Sequence, residues 1–167
     1  CRAIIEQTPW EDHTMRIQGK EIPVPRRTAW YNDDARAYRY SGLKHEGRNW
    51  TPLLQVLRER VEAATGVRYN SVLVNLYRNG RDSVGWHADD EPELGGAPTI
   101  ASLSLGSERM FRWKPQPGGL VARCPAGGMR LPSGSLLVMA GATQRRWLHM
   151  LAKTARPVGS RVNLTFR

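Results

Sequence analysis

Two histidines and an aspartate are the residues of this sequence best suited to chemistry. His87 stands two positions before Asp89, and a His-x-Asp pair on an extended segment sends both side chains to the same side. With one distant histidine, such a pair can occupy one face of an octahedron, which suits Fe(II) and leaves positions open for a co-substrate and oxygen. His149 lies in a strand-like stretch, whereas His13 and His45 lie in polar segments that we expect to be irregular. The expected metal ligands are therefore His87, Asp89 and His149.

On these residues alone, two other interpretations remain open. A histidine beside a carboxylate is common on protein surfaces, where it binds no metal. Two histidines and an aspartate can also hold zinc in a hydrolase.

A run of alternating residues near the C-terminus could bind a small dicarboxylate. Val162, Leu164 and Phe166 would face a core, and the opposite face would carry Arg161, Asn163, Thr165 and Arg167. If that face lines a cavity, two guanidinium groups would suit 2-oxoglutarate, because arginine grips carboxylate bidentately. Six residues of strand span about 20 Å, so both arginines can reach one ligand only if their side chains converge. The alternative is a solvated strand face.

Composition restricts the partners and the compartment. The chain has 25 Lys and Arg against 15 Asp and Glu, a net charge of +10, which indicates nucleic acid first and a membrane surface second. A basic protein without such a partner is the alternative. No run approaches the roughly 18 apolar residues of a membrane span, so we expect no membrane partner. Two cysteines and no signal-peptide pattern indicate an intracellular protein, cytoplasmic in a bacterium and nuclear or cytoplasmic in a eukaryote.

Short strands and one helix must position the candidate residues. Thr51 and Pro52 begin a predicted helix, apolar residues continue it at helical spacing, and Gly66 ends it. Strands separated by Gly and Pro turns are predicted at 71–77, 100–105, 110–113, 136–139 and 161–167. This pattern favours a mainly β fold with a flanking helix (α+β), a β-sandwich or jelly roll. The length indicates a single domain, residues 1–167.

Together these motifs resemble the AlkB family of dealkylating dioxygenases, most of all the animal AlkB homologues two and three. The resemblance covers about residues 23–167 in order. Besides the His-x-Asp pair, the distant His149 and the C-terminal run, it is carried by Pro25–Tyr31, Asn75–Gly80, Asp82–Val84, Asp89–Pro92 and Ile100–Gly106.

The resemblance implies a double-stranded β-helix, or jelly roll, with Fe(II) held by His87, Asp89 and His149. It implies oxidative dealkylation of N-alkylated bases of the 1-methyladenine and 3-methylcytosine type. The reaction would use O2 and 2-oxoglutarate and release succinate, carbon dioxide and an aldehyde.

It also implies the contacts of 2-oxoglutarate. Arg161 would pair with the distal carboxylate, helped by Tyr77. Arg167 and Asn75 would act near the iron-bound end, and Asn163 would contact the ligand or support the residues that do.

Lesion recognition carries over as well, with residues 13–45 as a nucleotide-recognition lid. Tyr40 would stack on a base flipped out of the helix, with Tyr38 nearby. Asp90 and Glu91 would attract the positive charge of the lesion, and Arg26 would contact the substrate.

The expected partner is DNA, with RNA as a further substrate, and the protein is expected to be a monomer. A hairpin predicted at 15–20 offers Gln18 at its tip, where duplex-repairing relatives place an apolar wedge. Gln18 stacks poorly, so we expect a preference for single strands. The alternatives are a non-catalytic nucleic-acid-binding module and a protein or small-molecule hydroxylase on the same fold.

Overall fold

The computed structural model describes residues 1–17, 19–40, 43–118 and 120–167, without the side chains of residues 17, 38–40, 43 and 44. Its helices are α1 (Arg2–Gln7), α2 (Pro52–Thr65) and α3 (Thr143–Arg146), with a 3₁₀ turn at Pro92–Leu94. Its strands in chain order are β1 (Thr14–Ile17), β2 (Lys20–Pro23), β3 (Arg27–Asn32), β4 (Tyr38–Tyr40), β5 (Leu43–His45), β6 (Gly47–Arg48), β7 (Ser71–Tyr77), β8 (Val84–His87), β9 (Ile100–Gly106), β10 (Arg109–Pro115), β11 (Gly127–Leu131), β12 (Leu136–Met139), β13 (Trp147–Leu151) and β14 (Arg161–Phe166).

Two sheets form the body of the molecule. The larger has the order β12-β9-β14-β7-β3-β6 and the smaller β11-β10-β13-β8. Neighbours are antiparallel except for the short parallel pair β3–β6. This confirms the predicted mainly β, jelly-roll fold with flanking helices.

In strand β14, the alternation of apolar and polar residues in the sequence corresponds to two different faces of the sheet. It lies between β7 and β9, and Asn163 stands opposite both Asn75 and Ser104. Val162, Leu164 and Phe166 are fully buried in the core on the outer side of the larger sheet. Burying each of these side chains contributes about 1.5–3 kcal/mol to folding. The alternate residues of β14 face the smaller sheet.

Helix α2 closes that core. Thr51 accepts a hydrogen bond from the Leu54 amide at 3.3 Å, Pro52 takes the first turn, and Gly66 ends the helix at φ 71°. The bounds therefore agree with the caps predicted from the sequence. Leu54 and Val61 pack against the larger sheet.

The segment predicted as a lid, residues 13–45, contains the five described strands β1 to β5. Its central strand β3 pairs with β7 in the larger sheet, and the hairpins β1–β2 and β4–β5 stand on either side of it in the chain. The predicted hairpin at 15–20 is present, with Ile17 opposite Lys20, although Gln18 lies outside the described residues. Among the described helices, none is long and apolar enough to cross a membrane.

Candidate active site

A cavity lies between the two sheets, and it collects most of the residues singled out in the sequence. The predicted site residues that line it are Arg26, Asn75, Tyr77, His87, Asp89, His149, Arg161, Asn163 and Arg167. Ser102, Thr165, Phe111 and several aliphatic side chains complete the lining.

The predicted triad comes together at one end of this cavity. His149 on β13 lies opposite His87 on β8, because the two strands pair in that register. Asp89 follows β8, so its carboxylate reaches both imidazoles: Oδ1 is 3.9 Å from His87 Nε2 and Oδ2 is 3.7 Å from His149 Nε2. One ligand atom from each residue lies within 4.8 Å of the others.

The donor set fits an Fe(II) ion. His87 Nδ1 lies 2.8 Å from the Gly85 carbonyl, which holds the proton on Nδ1 and leaves the Nε2 lone pair for a metal. The His149 ring stacks on Phe111 with centroids 5.4 Å apart, which fixes its plane. Two neutral imidazoles and one carboxylate leave part of the coordination sphere for a co-substrate and oxygen.

Burial and charge keep these ligands in the protonation state that a metal needs. Burial lowers the pKa of His149 to about 4 and also lowers the pKa of His87, so both rings are neutral at pH 7. Burial is the largest single influence on the pKa of Asp89 and would raise it, but the Arg167 guanidinium and the two imidazoles of His87 and His149 together hold that pKa below its usual value. Arg167 Nη2 donates to Asp89 Oδ1 at 2.7 Å, with both side chains almost fully buried.

Gln144 supports the triad and was missed in the sequence. Its Oε1 accepts the backbone N–H of Asp89 at 2.9 Å, and its own side chain is 1% exposed. Gln144 belongs to the short helix α3, just before β13, so it links the segment that carries Asp89 to the strand that carries His149. The sequence shows only a glutamine in a polar run, which indicates neither its burial nor its partner.

The other end of the cavity is organised around Arg161. Its Nη2 donates to Ser104 Oγ at 2.8 Å and to Asn163 Oδ1 at 2.6 Å, and its guanidinium lies over the Tyr77 ring, 5.3 Å from the centroid. Asn163 Oδ1 also accepts from Ser102 Oγ at 3.0 Å. Burial lowers the pKa of Arg161, but a guanidinium remains charged at neutral pH. The result is a fixed cation, 1% exposed, in the cavity wall.

Both arginines of β14 therefore reach one cavity, Arg161 at the Tyr77 end and Arg167 at the triad. Arg26 adds a third guanidinium to the lining: its Nε donates to Asn75 Oδ1 at 3.0 Å, and the residue is 5% exposed. Three guanidinium groups and one carboxylate give the cavity a net positive charge, which favours a dianionic ligand.

Two of the residues predicted to contact the lesion, Asp90 and Glu91, are not part of the cavity lining. Asp90 is exposed and Glu91 is half-buried. Burial raises the pKa of Glu91, and its Oε2 has no hydrogen-bond partner among the described residues. The side chains of Tyr38 and Tyr40 lie outside the described part of the chain, so their roles stay predictions.

His45 corrects one expectation. The sequence suggested that it lies in an irregular polar segment, but it ends strand β5, is 0% exposed and has its ring centroid 4.6 Å from that of His13. Local polarity was misleading because the burial of His45 comes from distant segments. Burial, followed by the nearby His13, lowers the pKa of His45 to about 4.

Comparison with known proteins gives one family and several relatives. The sequence model of the 2OG-Fe(II) oxygenase superfamily matches residues 1–167. "Alpha-ketoglutarate-dependent dioxygenase alkB homolog 3" of Homo sapiens is 43% identical over 169 residues, covering 98% of this chain and 58% of that protein. "DNA oxidative demethylase ALKBH2" of Homo sapiens is 41% identical over 157 residues, covering 92% of this chain and 60% of that protein.

A solved structure, "The structure of OsALKBH1", superimposes with a TM-score of 0.59 over 86% of this chain and 78% of that one. At 18% identity the likeness concerns the fold alone. The chain spans about three fifths of the length of the two human relatives, at 58% and 60%.

Proposed function

This chain belongs to the 2OG-Fe(II) oxygenase superfamily and, within it, to the AlkB family, and we propose that it dealkylates nucleic-acid bases oxidatively. The reaction uses Fe(II), O2 and 2-oxoglutarate, and it releases succinate, carbon dioxide and an aldehyde. The observation that carries the proposal is the single cavity that joins the His87, Asp89 and His149 triad to the buried Arg161.

Arg161 is proposed to bind the distal carboxylate of 2-oxoglutarate. Ser104 and Asn163 hold the guanidinium and Tyr77 covers one of its faces, so the cation is positioned before any ligand arrives. Such preorganisation lowers the ordering cost of binding. Asn163 acts here mainly through Arg161, because its amide oxygen already accepts from Ser102 and Arg161.

Arg167 and Asn75 are proposed to act at the metal end of the cavity. Arg167 donates to Asp89 and so keeps that ligand ionised and oriented. Asn75 is held by Arg26, and both line the cavity between the triad and Arg161.

When bound, iron would supply the oxidising chemistry on the N-alkyl carbon. The chain's own residues do the rest: they hold three metal ligands on one side and fix the co-substrate's carboxylate. The cavity walls shield the reacting groups from bulk water.

A nucleic-acid substrate is supported by the charge of the chain and by the named relatives. The chain carries a net charge of +10, and one relative is named a DNA oxidative demethylase. DNA is therefore the proposed substrate, with RNA as a second polymer to be tested. Glu91, half-buried beside the triad segment, is proposed to face the cationic lesion, with Asp90, Arg26, Tyr38 and Tyr40 as further contacts.

The direct test is mass spectrometry of oligonucleotides that carry 1-methyladenine or 3-methylcytosine, incubated with protein, iron and 2-oxoglutarate. We expect loss of 14 Da per lesion, about one methylene, and no loss with chelator or with His149→Ala. His13→Ala, which changes a histidine outside the triad, should retain turnover. Binding without turnover, unaffected by chelator, would instead favour a nucleic-acid-binding module.

A preference for single strands is proposed from the sequence of the β1–β2 hairpin. Flipping a base out of a duplex costs a few kcal/mol, and Gln18 at the tip would compensate little of it. The measurement is kcat/KM on one 1-methyladenine oligonucleotide, alone and annealed to its complement. Faster repair of the duplex would contradict the preference, and Gln18→Phe should shift the ratio towards duplex.

A further inference from the structure

A second cluster of metal-ligating side chains lies outside the triad. Glu11 Oε2 lies 3.4 Å from His13 Nε2, and the His13 and His45 rings meet edge to face with centroids 4.6 Å apart. One candidate ligand atom from each of Glu11, His13 and His45 lies within 4.8 Å of the others. His45 is 0% exposed, and Glu11 and His13 are half-buried.

This cluster has the same construction as the triad. Each consists of two histidines and one carboxylate, and in each the ligand atoms all lie within 4.8 Å of one another. In each, an arginine binds the carboxylate: Arg167 donates to Asp89, and Arg48 Nη1 donates to Glu11 Oε1 at 2.5 Å. The arginine takes one oxygen of Glu11 and leaves Oε2 directed at the histidines.

Hydrogen bonds already hold the two imidazoles against one hydroxyl group, that of Thr28. Thr28 Oγ1 lies 2.9 Å from His13 Nε2 and 3.3 Å from His45 Nδ1. Thr28 belongs to β3 and stands opposite Asn75 on β7, so the cluster adjoins the wall of the active-site cavity.

We propose that Glu11, His13 and His45 form a second site, which binds a divalent cation of the zinc class and holds separate chain segments together. Two imidazoles and a glutamate are a common zinc ligand set, and a fourth position remains for water. The ligands come from two separate stretches of chain: Glu11 and His13 from the segment before β1, and His45 from the end of β5.

Such an ion would clamp the β4–β5 hairpin and the N-terminal segment onto β3. The ion would make the hairpin beside the cavity more ordered. The oxidation itself would still depend on the triad. The competing explanation is a hydrogen-bonded network, Glu11–His13–Thr28–His45, that binds no metal.

Zinc stoichiometry distinguishes the two. Chelator-treated protein is dialysed against zinc, and bound metal is measured by inductively coupled plasma mass spectrometry. We expect about two equivalents in the wild type, because zinc also occupies two-histidine, one-carboxylate sites such as the triad. His87→Ala should retain one equivalent, and His87→Ala combined with His13→Ala should retain none. Asp12→Asn, which removes an exposed carboxylate beside the cluster, should match the wild type.

His13→Ala alone checks that the variant folds, since it should keep the one equivalent bound by the triad. A single equivalent in the wild type, or none in His87→Ala, would overturn the proposal and leave the network. In His87→Ala, zinc should also slow amide hydrogen exchange across β5, and unchanged exchange would overturn the clamp.

Discussion

Replacing Arg161 by alanine would remove the cation that we propose for the distal carboxylate of 2-oxoglutarate. The side chain is 1% exposed and is held by Ser104 Oγ and Asn163 Oδ1. Alanine leaves a void lined by these groups and by the Tyr77 ring. Arg109 also lies near this ring, 6.0 Å from its centroid, but three backbone carbonyls hold its guanidinium.

The magnitude follows from the burial of the pair. Removing one partner of a buried, hydrogen-bonded ion pair costs about 3–5 kcal/mol, because the other charge is left without compensation. This corresponds to a loss of affinity of roughly a hundredfold to a few thousandfold. Arg161→Lys should recover part of it, since an ammonium supplies the charge without the planar fork.

The assay is calorimetric titration of 2-oxoglutarate into protein loaded with Mn(II), which avoids turnover. Arg78→Ala is the matched control: Arg78 follows Tyr77, is exposed and pairs with Asp82, so the affinity should be unchanged. Urea unfolding of both variants checks that each is folded at the titration temperature. Equal affinity in the wild type and Arg161→Ala would refute the assignment of the distal carboxylate.

Three further predictions concern the ligands, the pH response and the polymer. Gln144→Leu removes the acceptor of the Asp89 amide and should weaken iron affinity about 10–100-fold, measured by competition with a chelator. Gln55→Leu, the same change at an exposed glutamine of α2, should leave iron affinity unchanged. His45 titrates near pH 4 when folded and near about 6.5 when unfolded. The unfolded chain therefore binds more protons between these values, and the free energy of unfolding of metal-free protein should fall, by up to about 3 kcal/mol for this residue, as pH drops through that window. His45→Gln should reduce this dependence of the free energy of unfolding on pH. An unchanged dependence would contradict the conclusion that the His45 ring is buried and neutral. Oligonucleotide binding should weaken steeply with added salt as counterions are released, and a flat response would mean that the net charge of +10 serves another purpose.

Much of the fold could be predicted because it depends on local patterns in the sequence. Thr51, Pro52 and Gly66 bound α2, and the alternation along β14 assigns its residues to opposite faces. The same alternation predicted that Arg161 and Arg167 share one face of the strand and left open whether that face lines a cavity or is solvated. In the structure both side chains line the cavity, Arg161 beside the Tyr77 ring and Arg167 in a hydrogen bond to Asp89.

What could not be predicted depends on contacts between distant segments. Gln144 meets Asp89 only because α3 leads into β13 beside β8. Arg109 donates to the carbonyls of Asn79, Asp82 and Ala152, which no periodicity indicates. Hydrophobic alternation predicts which face of a strand is buried, but it does not predict which strands become neighbours.

The position of β14 also has a consequence for how the chain folds. Both neighbours of this strand, β7 and β9, are remote from it in sequence, so the larger sheet depends on long-range pairing, which is slow to form. Until β14 inserts, β7 and β9 present unpaired apolar edges that other chains can join. Because the same insertion delivers Arg161 and Arg167 to the cavity, an intermediate without it would be both aggregation-prone and unable to bind the co-substrate. We therefore expect 2-oxoglutarate to protect refolding mixtures only after the slow phase is complete.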